Sequence, residues 1–180
     1  MGRRARGAFG AALALLFVPA CATDDPPIPA VCSTGAMQLG TSENENMTPG
    51  QPCNACHAYT NAGSGDQMDA PIYAFAGTVY LTHHEPDLCV GGPFESADAG
   101  ADGSGAQVEV VSATGKRYVV DVTASGNFMS EAEDMVYPIT ARILYQGRVR
   151  WMIEPQMSGD CNTCHSAEGT EGASGRIRLP

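Results

Sequence analysis

Two stretches, "CNACH" (Cys53 to His57) and "CNTCH" (Cys161 to His165), repeat one chemical pattern in a chain with four histidines and seven cysteines. Two thiols three positions apart, with an imidazole directly after the second, form the attachment pattern of c-type haem. The thiols reach the two vinyl groups of the porphyrin and close thioether bonds. The imidazole that follows then stands over the ring as an axial iron ligand. Cys53, Cys56 and His57 meet this demand once, and Cys161, Cys164 and His165 meet it again. The sequence therefore predicts two covalently bound haem c groups.

Other chemistries suit the motifs less well. A thioredoxin-like dithiol needs a βαβ setting, and the pattern around these cysteines has none. Zinc held by two Cys-x-x-Cys knuckles has no use for a histidine directly after each second cysteine. A disulfide inside Cys-x-x-Cys closes too small a loop to brace a fold.

The remaining histidines are neighbours in "LTHHEP". Two haems with histidine on both faces need four imidazoles, and His83 and His84 complete the count as distal ligands. If "THHE" is extended, adjacent side chains point to opposite faces. Each imidazole then serves a different haem from Cα atoms about 3.8 Å apart, which keeps the irons within tunnelling range, an arrangement similar to that of small multihaem cytochromes. Two alternatives stay open. A methionine (Met68, Met152 or Met157) replaces one histidine, raising the potential that bis-histidine ligation lowers, or a distal histidine comes from a neighbouring molecule.

Residues 1–20 read as an export signal, with Arg3, Arg4 and Arg6 ahead of an apolar run too short and too early for a lasting membrane span. The run ends in "VPAC", which resembles the lipobox of bacterial lipoproteins and implies lipidation of Cys21; ordinary cleavage nearby is the alternative. Once residues 1–20 are removed, seven basic residues face twenty acidic ones, a formal charge of −13. Such a surface repels nucleic-acid phosphates, so nucleic acid is excluded as a partner. Cys32 and Cys89 are then left as an even pair in an oxidising compartment, the candidate disulfide, with unpaired or intermolecular thiols as the alternative.

The elements that must position these groups follow from texture. Residues 21–31, "CATDDPPIPAV", form a Pro- and Asp-rich tether. Residues 32–70 read as a first haem-binding segment, mostly loop with a short helix around the motif. From 71 to 155 the chain turns β-branched and aromatic: "IYAFAGTVYL", "AQVEVVSA", "RYVVDVTA", "ITARILYQ" and "RVRWMIE". Turn signals at Thr114-Gly115, Ser125 to Asn127, Pro138 and Gln146-Gly147 separate these strands. The spacing argues for a mainly β, antiparallel, Ig-like sandwich with haem-bearing loop segments at both ends. A long connection, 81–104, carries the histidine pair, and residues 156–180 form the second haem-binding segment. In that connection Asp98 and Asp102 lack EF-hand spacing, so the stretch reads as an acidic loop rather than a calcium site.

"FAGTVY", "GAQVEVVSATGKRYVVDVTASGNFMSE" and "YPITARILYQGRVRW" resemble the carboxypeptidase-regulatory, CnaB-type, transthyretin-like sandwich family. The resemblance rests on Gly77 and Val79, Gly105, Ala106 and Val108, and Gly126 and Phe128. It covers about half the chain and implies a fold rather than an activity. Near the motifs, Tyr59 and Trp151 are candidates for packing on porphyrin, with strand-core packing the plainer role for Trp151. Arg176 and Arg178 are candidates for offsetting propionates, or else a solvated tail.

The expectation is an exported, lipid-anchored dihaem c-type cytochrome, periplasmic or at the cell surface and held at the outer membrane. It exchanges electrons with other cytochromes or with copies of itself in a head-to-tail polymer. With both iron faces filled it is a carrier and not an enzyme. A peroxidase-like dihaem enzyme with one open iron, and a surface adhesion module with structural haems, are the alternatives.

Overall fold

A computed structural model describes residues 31–38, 44–63, 70–91 and 105–180. Cys21, Met68, Asp98 and Asp102, and the side chain of Tyr59, lie outside the described residues. The fold is mainly β, with two helical segments: α1 (Cys53–Gly63) and the single turn α2 (Cys161–Cys164). The strands are β1 (Phe75–Tyr80), β2 (Gln107–Val111), β3 (Arg117–Asp121), β4 (Asn127–Ser130), β5 (Thr140–Tyr145), β6 (Arg148–Trp151) and β7 (Ile177–Arg178).

They form two sheets, ordered β4-β1-β7 and β3-β2-β5-β6. Alternation sorts the side chains. Val108 and Val110 of β2 enter the core beside Ile143 of β5, and Phe75, Val79 and Phe128 meet them from the other sheet. Between the valines, Glu109 points away from the core and is nevertheless buried, held by Arg117 and Arg142 at 2.8 Å each. The β5–β6 hairpin turns on Gln146 and Gly147, at φ 47° and 73°. Positive φ at both positions marks the tight turn whose twist matches the strands.

Two features depart from the sequence expectation. The tail forms a strand: β7 pairs with β1 in parallel, Val79 opposite Ile177 and Tyr80 opposite Arg178, so the sheets are not wholly antiparallel. Residues 156–180, expected to be a second haem-binding segment, are therefore joined to the β body through β7. In addition, β1 is buried along its whole length. A sheet strand with one solvated face would alternate, so something covers both faces of β1.

Candidate functional site

Both cysteine-histidine motifs cover β1. In α1 and α2 the paired cysteines stand at positions i and i+3, which share one helical face. In each motif the residue after the first cysteine is an asparagine that grips the strand. Asn54 accepts from the N–H of Tyr73 (2.9 Å) and donates to its carbonyl (2.8 Å). Asn162 accepts from the N–H of Thr78 (3.0 Å) and donates to the carbonyl of Gln51 (2.9 Å) and to Thr78 Oγ1 (3.1 Å). The anchor points are Tyr73, just ahead of β1, and Thr78 within it. Sequence reasoning passed over these asparagines. The signal was their recurrence, since both motifs read Cys-Asn-x-Cys-His.

Asp160 joins the motifs. Its carboxylate accepts from the backbone N–H groups of Cys53 (3.2 Å) and Asn54 (2.9 Å) at the start of α1. Its backbone begins α2. Burial raises the pKa of this carboxyl group, while the N–H bonds and the nearby His57 oppose the shift. Burial, and then the charge of Asp160, push the Cys53 and Cys161 thiols up to about 12. Burial and Glu171 also raise Cys164. Such surroundings disfavour the thiolates that zinc requires and suit neutral thioethers. Cys53, Cys161 and Cys164 are free thiols. Cys56 is disulfide-bonded, so it can form a thioether only after reduction.

The imidazoles are oriented in a way that also bears on ligation. His57 Nδ1 donates to the carbonyl of Pro71 (2.5 Å), His165 Nδ1 to that of Gly175 (2.9 Å), and His84 Nδ1 to that of Ala167 (2.7 Å). A carbonyl can only accept, so in each neutral ring the proton is on Nδ1, and in His84 and His165 the Nε2 lone pair is kept for a metal. His57 is buried, its ring centroid 5.1 Å from that of Tyr73.

The histidine doublet differs from expectation. Residues 81–84 are a bend and turn, not an extended strand. Backbone contacts impose the reversal. Arg176 N–H donates to the His83 carbonyl (2.7 Å), and the buried Glu85 accepts from the Ser33 N–H (2.5 Å) and the Thr82 hydroxyl (2.7 Å). The two rings lie 6.2 Å apart, inclined at 43°. Both histidines adjoin the segment that follows the second motif: His84 bonds Ala167, and the His83 carbonyl lies against Gly175 and Arg176. The two imidazoles therefore do not stand on opposite faces of a strand. His83 Nδ1 is buried with no acceptor. Desolvation, then Arg178 and Arg150, lower the pKa of His83 and favour the neutral ring.

Cys32 and Cys89 form a disulfide with Cα atoms 5.5 Å apart, packed against Tyr80 at the end of β1. Glu85 lies beside them, but with both sulfurs in the bond no thiolate is available there for a metal. Arg176 is no solvated tail. It is buried, donates to the carbonyls of Glu85 (2.9 Å), Gly50 (2.9 Å) and His165 (3.3 Å), and pairs with Asp87. Its donors are engaged, whereas Arg178 keeps a buried Nε with no partner. Trp151 is exposed beneath the Arg142 guanidinium, 4.7 Å from the ring centroid, and not in the core. Met157 is exposed and Met152 half-buried. A separate open depression of about 300 Å³ is lined by Gln38, Asn44, Asn46, Val90, Ala124 and Ser125, without aromatic side chains. Among the described residues no helix is long and apolar enough to cross a membrane.

No protein-family model, curated protein or solved structure matches this chain.

Proposed function

We propose that the chain is a dihaem c-type cytochrome that carries electrons between redox partners. The observation that supports this most directly is the repeated motif with its imidazoles prepared alike. Both His57 and His165 follow a helical Cys-x-x-Cys, and both have Nδ1 committed to a backbone carbonyl. Haem bound there supplies one-electron exchange at iron. Cys53, Cys56, Cys161 and Cys164 are the attachment residues, and His57 and His165 the proximal ligands. His84 is oriented as a distal ligand, and His83 is held neutral beside it. The chain's part is to fix those nitrogens and to keep the two attachment segments on one strand. Arg178, with its free Nε, is the group placed to meet a propionate.

In this reading the β body is a transthyretin-like sandwich. The protein is exported and anchored through Cys21 at the periplasmic or outer face of the cell, where its acidic surface favours basic or cationic redox partners. The lone acceptor-free imidazole, His83, is the one observation that favours the peroxidase-like alternative, because an iron lacking a distal histidine would be open.

A pyridine haemochrome assay with protein quantitation, on chain matured in a host that attaches haem c, tests the proposal. Two haems per chain are expected, with no carbon monoxide adduct after reduction. One haem, or none, refutes the dihaem reading, and a carbon monoxide adduct moves the function to an enzyme.

A further inference from the structure

An aspartate that begins a helix ordinarily turns its carboxylate onto its own first turn. Asp160 begins α2 and makes no such bond. It caps α1 instead, through Cys53 and Asn54, which lie 107 and 106 residues away in sequence. The residue is fixed from both sides. The Ala76 N–H donates to the carbonyl of Gly159 (2.9 Å), and Ala76 and Asp160 form a parallel bridge to β1. A Cβ on Gly159 would lie 1.8 Å from the carbonyl oxygen of Ala74, so the chain here is pressed onto the strand as closely as a glycine allows. The backbone that carries the carboxylate is thus held against β1, and the carboxylate itself is held by the Cys53 and Asn54 N–H groups. Burial raises the pKa of this carboxyl group, and two N–H donors with the positive end of an 11-residue helix oppose that shift and support its ionised form. One fixed negative charge thus stands between the first thiol of each motif.

We propose that Asp160 is a positioning residue for both centres. Its hydrogen bonds lock the first attachment helix to the second, and its single charge lowers both reduction potentials together. This rests on the dihaem reading. Asn54, which also docks α1 but brings no charge, provides the contrast. Loss of Asn54 should loosen α1 without moving the two potentials in concert.

The experiment is a spectroelectrochemical titration of the matured full-length chain as wild type, Asp160→Asn and Asn54→Ala, with haem counted in each. Amide exchange at Cys53 and Asn54 is followed in parallel in the haem-free wild-type and Asp160→Ala chains. Asp160→Asn keeps a carbonyl oxygen to accept from α1, so it should retain two haems. Both midpoint potentials should rise, each severalfold in the equilibrium constant against a reference mediator. Asp160→Ala should speed exchange at Cys53 and Asn54 at least tenfold. Two haems in wild type with unmoved potentials in Asp160→Asn would overturn the inference and leave the dihaem reading standing. A shift confined to one centre would also overturn it, as would unchanged exchange in a folded Asp160→Ala. Wild type without haem would overturn both.

Discussion

Replacing Asn162 with alanine isolates what docks the second motif onto β1. Asn162 is 2 % exposed, and its amide serves three partners. They do not suffer equally. Thr78 Oγ1 still accepts from the Gly50 N–H (2.9 Å) and donates to Asn127 (2.8 Å), so its loss is small. The Gln51 carbonyl loses a donor, at a cost of about 1 kcal/mol. The Thr78 N–H loses its acceptor altogether, because β7 begins to pair only at Val79. A buried orphan amide costs about 2 kcal/mol. The sum, about 3 kcal/mol, corresponds to a fall in Tm of about 6–12 °C for a chain of this size. Asn54→Ala removes a two-bond clamp at a half-buried site that water can reach, and should cost about 1–2 kcal/mol. Urea unfolding of the haem-free chain, followed by Trp151 fluorescence and far-UV circular dichroism, gives both values at constant m. A loss under 1 kcal/mol for Asn162→Ala, or the reverse order of the two variants, would refute the view that these asparagines carry the docking.

Two further predictions concern the β body. Opening Cys32–Cys89 by paired serine substitution releases a loop with a sequence separation of 57. Chain entropy puts the cost at about 4 kcal/mol, and the denaturant midpoints of the native chain and the variant should differ without reductant and coincide with it. Glu109 is held below the usual carboxylate range, chiefly by the hydrogen bond from Arg142, with Arg117 adding to it. A depressed folded pKa contributes stability that is fully present above the unfolded value of about 4.3 and is lost as pH falls through the folded one. Acid unfolding of the native chain should steepen below that pH, and Glu109→Gln should flatten this part of the profile while lowering stability at neutral pH.

Local chemistry made much of the body legible. Thr114-Gly115 and Gln146-Gly147 punctuate hairpins because the left-handed backbone there suits those residues: Gly115, Gln146 and Gly147 all have positive φ. The alternation in "QVEVV" matches the core face of β2, which carries Val108 and Val110. What stayed hidden depends on contacts distant in sequence. "RIRL" is too short to read as a strand, and only its register against Val79 and Tyr80 makes it one. "THHE" has nothing in its own sequence to show that Arg176 will hold its carbonyl and reverse it. Asn54 and Asn162 were visible but carried no meaning until the strand they grip was known.

The complete burial of β1 accounts for the way two motifs 108 residues apart come to share one site. A bare outer face on this strand would expose Ala76, Thr78 and Tyr80 together with unpaired backbone groups of the segment leading into it. α1 covers the first end through Asn54, α2 the middle through Asn162, and β7 with the Cys32–Cys89 disulfide the far end. Each cover is a piece of a motif segment or directly continuous with one. Burying the strand and fixing the spacing of the attachment helices are therefore the same physical event. A change that separates the motifs must expose the strand, and a change that weakens the strand must disturb both motifs. That coupling follows from where the hydrogen bonds go, and it makes the spacing of the two motifs a property of the β body rather than of the loops that carry their cysteines.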